Sequence, residues 1–212
     1  MVDKARGRFI VLEGGEGAGK STHARSVAEW LRARGREVVQ TREPGGSPLA
    51  EAVRDLALRD WAEGIAPMTE LLLMFAARSA HLQTRISPAL AAGSDVVCDR
   101  FVDASYAYQG VGRKLGSAPV ATLEKLVVGE LRPDLVIVLD IDPQEGLQRA
   151  KRRGDANRFE AETVDFMRSV RQTYLDRAAA APDRYVVIDA TLPEPEVRDA
   201  IAAALASRQW PL

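Results

Sequence analysis

The chain has 212 residues, of which 46% are hydrophobic and 28% charged, with a formal net charge of −1. That length supports one substantial domain or two small ones, and the balance supports both a core and a solvated surface. A charge so near zero leaves no global basic field for a nucleic-acid duplex. A single cysteine, Cys98, excludes an intrachain disulfide and points to a reducing, cytoplasmic setting. No apolar stretch is long enough to span a membrane, and the run after the charged segment Met1–Arg8 ends too soon for a signal peptide.

In chain order, Phe9–Leu12 reads as a strand, followed by a glycine-rich turn and a helix over Lys20–Arg34 with Gly35 just past its end. Glu37–Gln40 is a second strand, Pro48–Asp60 and Met68–Ala92 are helices, and Asp95–Cys98 is a third strand. A helix over Ala118–Glu130, the strand Leu135–Leu139, helices over Pro143–Arg152 and Ala161–Ala181, the strand Tyr185–Ile188 and a helix over Pro193–Ser207 complete the series. The strand runs are continuous rather than alternating, as suits strands buried on both faces. This alternation predicts an α/β fold: one domain over 1–212 with a five-stranded parallel sheet flanked by helices on both faces. Ligands of such sheets bind beyond the carboxyl ends of the strands.

The first strand leads into Gly14-Gly15-Glu16-Gly17-Ala18-Gly19-Lys20-Ser21, a complete G-x-x-x-x-G-K-[ST] between strand and helix. Glycines let successive N–H groups turn toward phosphate oxygens, and the helix that follows adds its positive end. With Thr22, these residues form the expected ATP phosphate site: Lys20 reaches the β/γ-phosphates and the Ser21 hydroxyl ligates Mg²⁺. The base-reading Asn-Lys-x-Asp of a GTPase is missing, since the only asparagine, Asn157, is followed by Arg158. A small-molecule kinase then needs an acceptor site, a grip on a second phosphate and an arginine-rich lid. Asp99 and Asp140, each ending an apolar run, both fit the pattern of a carboxylate that holds Mg²⁺.

Five further pieces occur in order: Thr41-Arg42-Glu43-Pro44-Gly45-Gly46, Phe75-Ala76-Ala77-Arg78, Asp99-Arg100-Phe101, Tyr108-Gln109-Gly110 and the basic segment Arg149–Glu160. With the phosphate loop and its Glu16, they resemble the bacterial thymidylate kinase family. The resemblance spans residues 9 to about 160, and it implies a kinase that phosphorylates dTMP with ATP and Mg²⁺. It implies that Phe75 stacks on the thymine ring while Arg78, three residues on and so on the same helical face, donates to a thymine carbonyl. A core phenylalanine and a surface arginine are the plainer readings of the same two residues. Ser105, Tyr108 and Gln109 complete the base and sugar pocket, with Glu43 and Pro44 beside it. Arg54 and Arg100 grip the acceptor phosphate, which wants planar, bidentate donors. Arg42 either joins them or braces its loop against a carboxylate. Asp99 is preferred to Asp140 for the metal because Arg100 completes the family motif. The resemblance further implies that Glu16, an acid within a phosphate loop, contacts the sugar 3′-hydroxyl and that Glu43–Pro44 is a cis peptide.

The lid, about 149–160, holds five cations between Arg149 and Arg158. Part of that cluster offsets a helix dipole. The loop from Gly14 to Gly19 has no cation, so the charge that develops on the migrating phosphoryl group must be met from the lid. Arg153 is the expected transition-state arginine, with Arg149 and Arg158 on nearby phosphates of ATP. His23 and His81 lack partners at metal-ligand spacing, so no zinc site is expected. The apolar Leu71–Phe75 run suits a buried helix, and the resemblance adds a homodimer formed through such helices.

Overall fold

Continuous apolar runs become five parallel strands: β1 (Phe9–Gly14), β2 (Val38–Arg42), β3 (Asp95–Asp99), β4 (Leu135–Asp140) and β5 (Tyr185–Asp189). The structure, a computed structural model, describes residues 6–153, 158–159, 162–208 and 210. The strands pair in the order β2-β3-β1-β4-β5, every neighbour parallel. Each runs one or two residues past its apolar run, because ladder bonds continue after the hydrophobic side chains end. Gly14 pairs with Leu139, and Arg42 with Asp99.

Alternate residues of the central strands enter opposite cores. Phe9 and Val11, Val96 and Cys98, and Val136 and Val138 face one side. Ile10 and Leu12, Val97, and Leu135, Ile137 and Leu139 face the other. With both faces covered, neither position of the period-two pattern is free to be polar. The second face is covered by α1 (Lys20–Arg32) and α9 (Glu194–Ser207), through Val27, Leu31, Val197, Ile201 and Leu205. The first is covered mainly by α3 (Pro67–His81), which packs on α2 (Pro48–Leu58), and by α6 (Ser117–Val127) and α8 (Val164–Ala180). Thr163 caps α8, its side chain accepting the Phe166 N–H at 3.1 Å.

Two helical segments depart from the expectation. Met68–Ala92 is not one regular helix: after α3 the backbone widens into a π-helical turn over Leu82–Ile86 and resumes as α4 (Ser87–Ala91). Pro88 accounts for this, because it has no N–H to give and its ring displaces the carbonyl four residues earlier. A further helix was not expected: α5 (Val102–Ser105) continues as a π-helical stretch over Tyr106–Gly112. Gly110 and Gly112 lower its helix propensity, and tertiary packing holds it nonetheless. It brings Ser105, Tyr108 and Gln109 to the sheet. Among the described residues, no helix is long and apolar enough to cross a membrane.

Candidate active site

The strand order reverses at β1, whose neighbours β3 and β4 lead away in opposite directions, and a crevice opens at the carboxyl ends of such strands. The glycine-rich loop lies there. Gly17 has φ +71°, and a Cβ on it would fall 2.0 Å from the Gly146 carbonyl oxygen of α7 (Pro143–Arg153). A Cβ on Gly146 would fall 2.4 Å from the carbonyl oxygen of Glu16. Loop and α7 therefore touch backbone to backbone. No side chain caps the start of α1, which follows Gly19 directly and leaves an amide-rich helix end beside the loop. Lys20 Nζ donates to the Gly15 carbonyl at 2.6 Å. Burial, and then the charge of Arg100, pull its pKa down to about 8 against the opposing pull of Glu16, Asp99 and Glu13.

Ser21 Oγ donates to Asp99 Oδ2 at 2.6 Å, so the two expected metal donors stand side by side. Both are hard oxygens, as Mg²⁺ prefers, and two protein donors suit an ion that keeps waters and takes the rest from phosphates. Among the described residues no group of three or more metal-ligating side chains exists, so nothing competes as a complete protein cage. Asp140, the alternative by pattern, is engaged elsewhere, since Arg171 grips it with two bonds of 2.7 and 2.8 Å.

These residues open on a cavity of about 450 Å³. Its walls include Glu16, Gly17, Gly19, Lys20, Ser21, Thr22 and Asp99 from the loop side and Glu43, Pro44, Arg54, Arg78, Arg100, Ser105, Tyr108 and Gln109 from the other. Most of the residues expected from sequence thus share one enclosure. Leu58, Met74, Phe101 and Phe159 supply an apolar wall that was not expected.

Arg78 is buried and aimed by three acceptors: Glu43 Oε2 at 2.6 Å, Ser105 Oγ at 3.1 Å and the Phe101 carbonyl at 2.9 Å. Glu43 is fixed in turn by His81 Nδ1 at 3.1 Å, and the other ring nitrogen of His81 lies 2.6 Å from Thr41 Oγ1. The Glu43–Pro44 peptide is cis. Arg42 adopts the bracing role, paired with Glu51 at 2.8 Å. Arg54 donates to the Pro44 carbonyl and, among the described residues, pairs with no carboxylate. Burial, and then neighbouring Arg42 and Arg100, hold its guanidinium pKa below the ordinary range, the electrostatic signature of a place for an anion. Arg100 sits at φ +70° directly after β3. It donates to Glu16 at 2.7 Å, Tyr174 Oη at 3.1 Å and the Gly14 carbonyl at 3.2 Å. Burial opposes its charge, but Tyr108, Glu16, Tyr174 and Asp99 outweigh that and raise its pKa. Tyr108 Oη also donates to Glu16, at 2.9 Å.

Among the described residues, the expected side chains of Phe75, Arg149 and Arg158 do not wall the cavity. Phe75 is only 2% exposed and packs in the core, with the Arg78 guanidinium 4.5 Å from its ring centre. Its expected stacking face is therefore not open, and the core reading of this phenylalanine is the one observed. Arg149 reaches the carbonyls of Ala190 and Thr191 beyond β5 and pairs with Glu145. Arg158 binds Glu70 at 2.6 Å and the Ala57 carbonyl at 2.9 Å, on the α2–α3 side rather than at the loop. Arg153 ends α7, and its side chain, like residues 154–157, lies outside the described residues.

Sequence reasoning missed Glu13 and Glu70, both fully buried. Glu13 Oε1 accepts the N–H groups of Phe101 at 2.8 Å and Ala104 at 3.3 Å, so it shapes the turn that carries Arg100. Its signal was present: a carboxylate ending an otherwise apolar strand run. Glu70 carried no such signal, because one acid in a helical stretch looks like surface.

The family model for thymidylate kinase matches residues 12–201 of this chain. A thymidylate kinase of Pseudomonas fluorescens (strain SBW25) is 55% identical over 199 residues, covering 94% of this chain and 95% of that protein. One from Chromohalobacter salexigens is 54% identical over 204 residues, covering 95% and 96%. Among solved structures, a thymidylate kinase from Ehrlichia chaffeensis aligns with a TM-score of 0.78 at 31% identity, covering 94% of this chain and 99% of that one.

Proposed function

Since this chain belongs to the thymidylate kinase family, we propose that its cavity is shared between two nucleotides whose phosphates meet beside Lys20. The chain is a kinase of nucleotide biosynthesis that transfers the γ-phosphoryl group of ATP to dTMP, giving dTDP and ADP. One observation carries the division of the cavity. Lys20 and the Ser21–Asp99 pair open on the same space as Arg54, Arg78 and Arg100.

ATP phosphates lie on the loop amides and Lys20, and dTMP lies opposite. Ser21 and Asp99 would hold Mg²⁺, which would supply charge neutralisation to the donor phosphates. Arg54 takes the acceptor phosphate, and Arg100 joins by exchanging its Glu16 contact for one to that phosphate. Glu16 is then left to the sugar 3′-hydroxyl, with Tyr108 still donating to it. Arg78, anchored by Glu43, offers its remaining N–H groups to a thymine carbonyl, while Ser105 and Gln109 close the pocket. Phe75 serves from behind, as the platform on which Arg78 rests.

A dTMP phosphate oxygen is already ionised at neutral pH, so no general base is needed. Catalysis rests on alignment and charge. Arg153 supplies the transition-state cation, a reading supported by the absence of any cation between Gly14 and Gly19, while Arg149 and Arg158 stay engaged with Glu145 and Glu70.

A second copy of the chain covers α2 and α3. Leu49, Leu56, Met68 and Leu72, on these two helices, and Trp61 between them are 38–65% exposed, an apolar surface that a lone protomer leaves to water. ATP as co-substrate and a lone, buried Cys98 support a cytoplasmic setting. The test is a coupled ADP assay with ATP and a panel of nucleoside monophosphates. ADP release with dTMP alone is expected; release only with another acceptor moves the base assignment, and none with any acceptor overturns the reading.

A further inference from the structure

Glu70 of α3 is completely buried, yet three donors from two separate parts of the chain converge on it. Gln109 Nε2 donates to Oε1 at 2.7 Å, Arg158 Nη1 to Oε2 at 2.6 Å and Arg113 Nε to Oε2 at 3.1 Å. The two guanidinium groups offset the cost of burying the carboxylate. They do not explain why that carboxylate also holds a glutamine. An amide has two ends of opposite hydrogen-bond sense and turns over unless something selects one. A carboxylate already gripped by two arginines accepts. Gln109 therefore meets it with its NH₂, and the reverse would set two oxygens against each other inside the protein.

The consequence is felt in the cavity. Gln109 lines it beside Arg78 and Ser105, and among the described residues no donor is hydrogen-bonded to its Oε1. We propose that Glu70 is a positioning residue: it fixes the Gln109 amide with its carbonyl oxygen left for the base, and so selects a pyrimidine that carries an N3–H. This rests on the reading above that Gln109 meets the base.

Thymine presents a carbonyl, an N–H and a carbonyl along its pairing edge; cytosine presents an amino group, a bare nitrogen and a carbonyl. Arg78 spends three N–H groups on Glu43, Ser105 and Phe101, and the two that remain of its five suit a carbonyl. The Gln109 oxygen suits the neighbouring N3–H and repels a bare N3. Were the glutamine free to turn, its NH₂ would serve the bare N3 of cytosine as well, and discrimination at N3 would be lost.

The experiment compares the KM for dTMP with the competitive inhibition constant of dCMP in the unmodified protein, in Glu70→Gln and in Gln109→Leu. Glutamine at position 70 offers both a donor and an acceptor, so Gln109 can turn. The preference for dTMP over dCMP is expected to narrow by about tenfold or more, with a smaller change in kcat. Equal weakening of both ligands, or an unchanged ratio, overturns the proposal and leaves Glu70 a brace of the fold. Gln109→Leu separates the two premises. An unchanged ratio there removes Gln109 from the base and fails the underlying reading, whereas narrowing there without narrowing in Glu70→Gln fails this inference alone. If Glu70→Gln does not fold, Glu70→Asp keeps the carboxylate but withdraws it from Gln109 by one methylene, and the same narrowing is expected.

Discussion

Glu13 shows what a single carboxylate does when an apolar strand ends in it. Fully buried, it holds the N–H groups that shape the turn around Arg100, and its Oε2 has no hydrogen-bond partner among the described residues. Burial, and then the nearby charge of Asp103, raise its pKa from an ordinary 4.5 to about 7, against the pull of Arg100, the Phe101 N–H and Tyr174. Below the unfolded value both states hold the proton. Between the two values the folded protein keeps a proton that the unfolded chain has released, so stability from this group falls as pH rises and is lost above about 7. Glu13→Gln keeps the carbonyl acceptor and has no proton to lose. Urea unfolding at about pH 5 and about pH 8 is expected to show a steeper loss in the unmodified protein than in the variant, by up to about 3 kcal/mol. An equal loss in both would remove Glu13 as the source. The same residue illustrates a limit of motif reading: Glu13 is the residue before the motif, and nothing in its spacing says that it faces Phe101, 88 positions away.

At the scale of elements, the contact that matters most is that between the phosphate loop and α7. Gly17 and Gly146 allow the two backbones to touch, so the helix that carries Arg149 and Arg153 is seated on the loop proposed to hold the donor phosphates. Gly146→Ala sets two effects against each other. Alanine in mid-helix is favoured by about 1 kcal/mol over glycine, but its Cβ would meet the Glu16 carbonyl at 2.4 Å, and overpacking of that kind costs about 1–3 kcal/mol. The clash is against backbone and cannot be relieved by a rotamer, so it wins. Expected are a lower melting temperature and at least about a tenfold fall in kcat/KM for ATP, the size of change that about 1.4 kcal/mol brings. Unchanged kinetics would mean that the loop tolerates displacement of α7. Element boundaries were readable where a motif or a proline fixes the start, as in α1 and α7, which begin at Lys20 and Pro143. They failed at Leu82–Ile86 and Tyr106–Gly112, where the backbone widens into π-helical turns. There the period is neither 3.6 nor 2, and pattern reading has no template for it.

For the whole molecule, the apolar surface of α2 and α3 has a direct consequence. Leu72, half exposed on α3, sits on the same helix as Glu70 and Arg78, so a copy docked there would brace the acceptor side of the cavity from outside. Light scattering is expected to find a dimer, and Leu72→Glu is expected to shift it to monomer at micromolar concentration by placing like charges across the two-fold axis. A monomeric unmodified protein would overturn the dimer.

What the sequence determined by itself was the kind of sheet and the chemistry of its ends. Strands buried on both faces leave a continuous apolar record, and a phosphate loop is a local structure whose residues are neighbours in the chain. Lys20 and Ser21 were therefore legible from residue type and place, with the family resemblance choosing Asp99 over Asp140 and adding Arg54, Arg78, Arg100 and Gln109. Only the tertiary structure decided what each side chain is tied to. It put Phe75 behind Arg78 rather than on the cavity wall, Asp140 under Arg171, and Arg158 on Glu70. Those outcomes depend on partners 3 to 88 residues apart in sequence. A buried carboxylate and an exposed one are the same letter until folding brings its donors to it.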